Sequence, residues 1–324
     1  MLFQEYHQEH DLCNPDQLRR KVRTEAEKKI YFDREAKSMQ QEKVYRAELT
    51  ACFGDPVDEN PSGVIAEAGY DALGLNYRYL TIRVEKNGLE DAVKGARAMG
   101  FCGFNLTIPH KVAVIPLMDE LTEAARLIGA VNTVVRRDGK LIGENTDGKG
   151  FLKSLRDNGI DPAGKTVTLL GAGGAARAIS IELALAGARK INIINRSEER
   201  GAELAAAVSE RTNAAASYIR WISQVRIPEE TDILVQCTNI GLFPDITGKP
   251  DVNYDTLRPQ MVAADVVFNR PNTPFLQEAV RRGLKTITGL GMLVNQAALN
   301  FKLWTGKDAP VEVMTEALAK EFGL

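Results

Sequence analysis

Lys111 closes the stretch NLTIPHK, Asn105 to Lys111, and Asp147 lies inside GENTDGKGF, Gly143 to Phe151. Both stretches come where apolar, strand-like runs end. A lysine beside a carbonyl can give a proton to the oxygen and, in reverse, take one from the alcohol. A neighbouring carboxylate orients that lysine and tunes its charge state. The pair therefore suits reduction of a ketone, in which carbon receives a hydride and oxygen a proton. The amides of Asn105 and Asn132 and the hydroxyl of Thr107 offer hydrogen bonds to substrate hydroxyls. Taken alone, Lys111 is a surface lysine after a turn and Asp147 an Asx-turn residue before Gly148. His110 reads as packing or support for its neighbours.

A hydride has to come from somewhere, and GAGGAA, Gly171 to Ala176, indicates the source. Its GxGxx(G/A) spacing follows the apolar run TVTLL and opens the Ala-rich run ARAISIELALAG, which is the context of a dinucleotide-binding turn. Gly171 permits the tight turn, Gly173 lets backbone approach a pyrophosphate, and Ala176 lets the helix pack on its strand. Ala172, Gly174 and Ala175 complete the turn, whose free N–H groups face the phosphates. The next strand ends in INIINRSEER. Asn195 stands where an NAD site usually has Asp or Glu, and Arg196, Ser197 and Arg200 follow. Arginine forks suit a ribose 2′-phosphate, so the expected cofactor is NADP.

These residues need a frame that holds them. From Thr50 onward, strand-like and helix-like runs alternate, which predicts an α/β fold with a largely parallel sheet. ELTACFG, YRYLTIRV and FCGFNLTI read as strands, and VNTVVRRDGKLIGEN as a strand pair turned at Asp138-Gly139. KTVTLLGAGGAARAISIELALAGARKINIINRS reads as one βαβ unit. LKTITGLGMLVNQAALNFKLWTG reads as a strand, a Gly turn and a long helix, on which Met292 and Gln296 share a face. Residues 1–46 differ: QLRRKVRTEAEKKIYFDREAKSMQQEKVYRAEL has neither Gly nor Pro and reads as a charged helical extension, solvated, with an oligomer contact as the second reading.

Composition bounds the alternatives. The 324 residues correspond to about two domains. A net charge of −2 gives no reason to expect nucleic acid or an anionic membrane as partner. No apolar run approaches a membrane span, and the first residues lack the pattern of a secretory signal. The four cysteines are scattered without a CxxC, which fits a reducing cytoplasm and argues against a disulfide framework or metal site.

NLTIPHK, GAVNTVV, GENTDGKGF, GAGGAARA, NRS, CTNIG, NTPFL and GLGMLVNQAA occur in the order found in shikimate dehydrogenases and their quinate/shikimate relatives, and the resemblance covers roughly residues 48–324. It implies NADPH-dependent, reversible reduction of 3-dehydroshikimate to shikimate. It also implies an N-terminal α/β substrate-binding domain (47–147 plus 285–324) and a Rossmann-type, doubly wound parallel-sheet NADP-binding domain (148–284), with a cleft between them. By motif position, Lys111 and Asp147 match the catalytic pair. Asn105, Thr107, Asn132 and Gln296 match substrate-contacting positions, and Thr238, Asn239, Gly289 and Met292 fall in motifs that face the cofactor. The expected partner is a small cyclic hydroxy acid, with a homodimer left open.

The match breaks at two places. The family usually has a Ser-x-Ser-Pro segment whose serines hold the substrate carboxylate. Here Asn60 stands at the first serine, Ser62 at the second and Gly63 at the proline, with Glu59 adjacent. An Asp-x-x-Tyr-Asn-Pro segment is replaced by DVVFNRP, so Phe268 stands at the tyrosine and Arg270 at the proline. Quinate, an aminated shikimate or another cyclic hydroxy acid are therefore alternative substrates, and a non-catalytic NADP-binding sensor is the alternative from another class.

Overall fold

Two six-stranded sheets organise the computed structural model, which describes residues 45–324. The helical extension expected over 1–46 lies, except for its last two residues, outside the described residues.

The first sheet is built from β1 (Glu48–Gly54), β2 (Tyr77–Arg83), β3 (Gly103–Leu106), β4 (Glu120–Leu121), β5 (Thr133–Arg137) and β6 (Lys140–Glu144), in the order β2-β1-β3-β5-β6-β4. Helices α1 (Ser62–Ala72), α2 (Leu89–Met99), α3 (His110–Ala113) and α4 (Glu123–Ile128) connect them. β1 runs parallel to β2 and β3, whereas β5 is antiparallel to both β3 and β6. The sheet is thus mixed: β5 runs against β3, and the Asp138-Gly139 turn reverses the chain again into β6. Both turn residues have positive φ, 52° and 79°, the geometry that matches strand twist in a two-residue hairpin.

Helix α5 (Asp147–Asp157) leads to the second sheet. Its members are β7 (Thr166–Leu170), β8 (Lys190–Asn195), β9 (Ala215–Arg220), β11 (Ile233–Gln236), β13 (Val262–Asp265) and β14 (Lys285–Ile287). Every pairing is parallel and the order is β14-β13-β11-β7-β8-β9. That order reverses direction at β7, the doubly wound arrangement in which ligands bind at the carboxyl ends of the strands. α6 (Gly174–Leu185), α7 (Glu198–Arg211) and α8 (Pro274–Arg281) cover it, and the short strands β10 (Val225–Arg226) and β12 (Val252–Asn253) pair separately. The central strands are buried apolar runs, as a sheet covered on both faces requires.

α9 (Gly289–Thr305) and α10 (Val311–Glu321) return to the first sheet. Phe301 and Trp304 of α9 join Tyr70, Tyr79 and Met314 in one buried cluster there. α9 also presses on α5. A Cβ added at Gly150 would lie 2.8 Å from both the Gln296 nitrogen and the Met292 carbonyl oxygen, so only glycine permits this approach. That contact sets Gln296 beside the helix that begins with Asp147.

Candidate active site

β3 ends at Leu106, and the NLTIPHK turn carries the chain into α3, where Lys111 is the second residue. β6 ends at Glu144, and Asn145-Thr146 leads to Asp147 at the first position of α5. A helix N-terminus favours a carboxylate there. The two side chains meet: Lys111 Nζ lies 2.6 Å from Asp147 Oδ2. Asp147 Oδ1 accepts from Asn132 Nδ2 at 2.8 Å, and the same amide donates to Thr146 Oγ1 at 3.0 Å. The carboxylate is therefore fixed at both oxygens, while the lysine side chain stays 25% exposed.

Behind this pair lies a buried polar network that was only partly legible in the sequence. Thr133 Oγ1 and Thr146 Oγ1 each donate to Asn300 Oδ1 at 2.8 Å, and Asn300 Nδ2 donates to Gln296 Oε1 at 2.9 Å. Asn300 is 1% exposed. The signal for it was present, since Gln296 and Asn300 are four residues apart on one predicted helix. Asn105 donates to Thr133 Oγ1 at 2.8 Å and to the Asn132 carbonyl at 3.1 Å, and it accepts from the Tyr79 hydroxyl at 2.8 Å. His110 is buried with Nε2 2.6 Å from the Val84 carbonyl, so it braces the turn that carries Lys111.

Asn60 and Ser62 form a local turn, with the Ser62 backbone nitrogen donating to Asn60 Oδ1 at 2.9 Å. Asn60 Nδ2 faces Cys52 Sγ at 3.5 Å. Thr107 packs its methyl over Gly54, where a Cβ would lie 2.2 Å from Thr107 Cγ2. Phe268 turns its ring toward Phe322, with centroids 6.4 Å apart, and Arg270 is exposed.

The glycine turn fits a dinucleotide. Gly171 has φ +108°, and a Cβ there would lie 3.0 Å from Thr238 Cγ2, so the turn is tight and Thr238 abuts it. Thr238 is fixed by its own hydroxyl, which donates to Gln236 Oε1 at 2.7 Å. At Gly173 a Cβ would meet nothing within 4 Å, which leaves the backbone approachable. Gly173 caps α6 without a side chain, so the first N–H groups of this helix keep free hydrogen-bonding capacity for phosphate. Ala172 and Ala175 pack at the rim of the core behind the turn. A Cβ on Gly174 would stand 4.0 Å from Lys111 Cδ, so the turn and the lysine share one cleft.

At the end of β8, Asn195 Nδ2 donates to the Ser197 carbonyl at 2.8 Å, and Ser197 Oγ caps α7. Arg196 and Arg200 are exposed, and the Arg196 guanidinium sits 5.6 Å from the centroid of the Trp221 ring. Gly289 begins α9 against the Val267 carbonyl, 2.4 Å from the place of a Cβ, and Met292 is buried one turn on. Asn239 is exposed beside Thr238. Among the described residues, no group of three or more His, Cys, Asp or Glu is placed to hold a metal ion, and no helix is long and apolar enough to cross a membrane.

Three family models match along the chain: the shikimate dehydrogenase substrate binding domain over residues 52–134, shikimate / quinate 5-dehydrogenase over 155–242, and the shikimate 5′-dehydrogenase C-terminal domain over 289–319. The shikimate dehydrogenase (NADP(+)) of Desulforamulus reducens is 43% identical over 279 residues, 85% of this chain and 96% of that protein. This chain belongs to the shikimate dehydrogenase family. Among solved structures, the ligand-free form of 5-ketofructose reductase from Gluconobacter sp. strain CHM43 superposes with a TM-score of 0.81 at 47% identity, covering 86% of this chain and all of that one. A shikimate dehydrogenase in complex with NADP⁺ superposes with a TM-score of 0.79 at 37% identity, covering 85% and 96%.

Proposed function

We propose that this chain is an NADP-dependent oxidoreductase of the shikimate dehydrogenase type, with Lys111 and Asp147 as its proton-transfer pair. The observation that carries the reading is the 2.6 Å Lys111–Asp147 contact beside the glycine turn, where a Cβ on Gly174 would stand 4.0 Å from Lys111 Cδ. Bound NADPH supplies the hydride. The chain's own residues do the rest. Gly171, Gly173 and the N–H groups of α6 would hold the pyrophosphate, and Arg196 and Arg200 the 2′-phosphate, with Asn195 leaving that position free of a competing carboxylate. Lys111 gives its proton to the carbonyl oxygen in reduction and receives it in alcohol oxidation. Asp147, pinned by Asn132, keeps the ammonium aimed and offsets its charge. Asn60, Ser62, Asn105, Thr107 and Gln296 line the substrate side, and Thr238, Asn239, Gly289 and Met292 the cofactor side.

The reference substrate pair is 3-dehydroshikimate and shikimate, the pair to which the names of the curated relatives point. One observation favours a second substrate reading with the same chemistry. Asn60 replaces a serine of the carboxylate-holding segment, and the structure that superposes at 47% identity is a reductase of a ketose, 5-ketofructose. The deciding experiment measures NADPH oxidation with 3-dehydroshikimate and with 5-ketofructose, each repeated with NADH. Turnover of either ketone with a strong preference for NADPH supports the reading. Tight NADPH binding with neither ketone reduced would refute it in favour of a sensor.

A further inference from the structure

Trp221 is the residue at which edge strand β9 leaves the second sheet. β8 and β9 run parallel and their last pair is Asn195 with Arg220, so Arg196 and Trp221 are the next residue on each strand. The backbones stay together for that step, because the Trp221 nitrogen donates to the Asn195 carbonyl at 3.0 Å. Parallel register thus sets the indole beside the turn that carries Arg196. Both stand at the carboxyl ends of the strands, where a doubly wound sheet binds its ligand. Trp221 lies outside every motif that carries the family resemblance.

The indole is held from behind. Trp221 is 8% exposed and shares a buried cluster with Leu170, Ile194 and Ile227. Its Nε1 donates to the Asp251 carbonyl at 3.0 Å, which fixes the rotation of the ring. The Arg196 guanidinium lies over this ring, 5.6 Å from its centroid and within the range of a cation–π contact. The turn that carries Arg196 is fixed as well. The Tyr218 hydroxyl donates to the Asn195 carbonyl at 3.1 Å, Asn195 Nδ2 donates to the Ser197 carbonyl at 2.8 Å, and a Cβ on Gly201 would clash with the Tyr218 ring. A long arginine side chain loses rotamer freedom when it binds a phosphate, and binding is tighter when that ordering is already made. An ion pair would order Arg196 but spend its fork on a protein carboxylate. Among the described residues the Arg196 side chain has no hydrogen-bond or ion-pair partner, and its contact is the indole. A ring face restrains the guanidinium and leaves its N–H groups for phosphate oxygens.

We propose that Trp221 is a positioning residue for the cofactor: its ring face holds the Arg196 guanidinium ready for the ribose 2′-phosphate, and so contributes to the preference for NADP over NAD without itself touching the phosphate. This rests on the reading above that Arg196 meets the 2′-phosphate, and it adds a residue on which that preference depends.

The test is a double-mutant cycle read by calorimetric binding of NADP⁺ and of NAD⁺ to wild type, Trp221→Leu, Arg196→Ala and the double variant. The quantity compared is the ratio of the two affinities, which a general loosening of the fold would leave in place because both cofactors would weaken together. Trp221→Leu is expected to lower the NADP⁺/NAD⁺ ratio by about three- to fivefold, the scale of one partly exposed cation–π contact. In the Arg196→Ala background the same change should move the ratio by less than about twofold, because the guanidinium that the ring holds is gone. If Trp221→Leu folds poorly, Trp221→Met, whose flexible thioether fills the same space, carries the same cycle with the same thresholds. A ratio that falls by less than about twofold in the single Trp221 variant, or by about twofold or more in the Arg196→Ala background too, overturns the proposal. Wild type that binds NADP⁺ no tighter than NAD⁺ refutes the cofactor reading itself, and the inference with it. A wild-type preference for NADP⁺ that is indifferent to Trp221 overturns the inference alone.

Discussion

Replacing Asn300 with alanine would remove the hub of the network behind the Lys111–Asp147 pair. Three hydrogen bonds are lost: those from Thr133 and Thr146 to Asn300 Oδ1 at 2.8 Å, and the one from Asn300 Nδ2 to Gln296 Oε1 at 2.9 Å. Each is worth about 1 kcal/mol net, and more where a buried partner is left unsatisfied. Some is recovered, since Thr133 and Thr146 hydroxyls stand 3.3 Å apart and can bond each other, and Thr146 also lies 3.3 Å from Asn132 Oδ1. Gln296 Oε1, by contrast, loses its only side-chain partner given by the structure while 7% exposed. The expected destabilisation is about 2–3 kcal/mol, a fall in Tm of roughly 3–5 °C for a protein of this size. Function should divide in a specific way. Asp147 is still held by Asn132, so kcat changes little, whereas the freed Gln296 raises KM for the ketone several-fold. Thermal unfolding and steady-state kinetics on the purified variant check both. An Asn300→Ala protein with wild-type Tm and wild-type KM would refute the claim that this network sets the substrate side of the cleft.

Two further outcomes are expected. Replacing both Arg196 and Arg200 with alanine should raise KM for NADP⁺ by about 10–100-fold and leave that for NAD⁺ nearly unchanged, because a guanidinium contacts the 2′-phosphate that NAD⁺ lacks; steady-state kinetics with both cofactors reads this. Asp265 is buried and its carboxyl is pushed up from 3.8 to about 6. The folded state therefore binds its proton more tightly than the unfolded state, and stability falls as pH rises from about 4 through about 6. The shift of about two units corresponds to ~3 kcal/mol. Asp265→Asn should flatten that part of the urea-unfolding stability profile, and an unchanged pH slope would count against the assignment.

Much of this molecule was legible in its sequence, for physical reasons that can be named. The βαβ unit around Gly171 was readable because an apolar strand, a glycine turn and an Ala-rich helix each have strong local signals, and β7, α6 and β8 stand where those signals lie. The Asp138-Gly139 hairpin was readable from its turn residues. Edge strand β9 and helix α8 escaped notice: AASYIR is short and half-buried, and the signal for α8, Thr273 as cap with Pro274 in the first turn, is confined to its N-terminus. At the site, Lys111 and Asp147 stood in polar motifs, whereas Tyr79 was hidden in a strand where its alternating pattern gave only a buried face. The coupling of Tyr79 to Asn105, 26 positions on, comes from the parallel pairing of β1 with β2 and β3.

The central claim is that Lys111 moves the proton. Its most direct test is Lys111→Ala, with turnover and NADPH affinity measured on the same preparation using whichever ketone the wild type reduces. The account predicts that kcat falls by about 10²–10⁴-fold, the usual contribution of a general acid, while NADPH affinity stays within about threefold, because the glycine turn and Arg196 are untouched. A variant that keeps kcat within about threefold of wild type would contradict it and would move the proton donor elsewhere in the cleft.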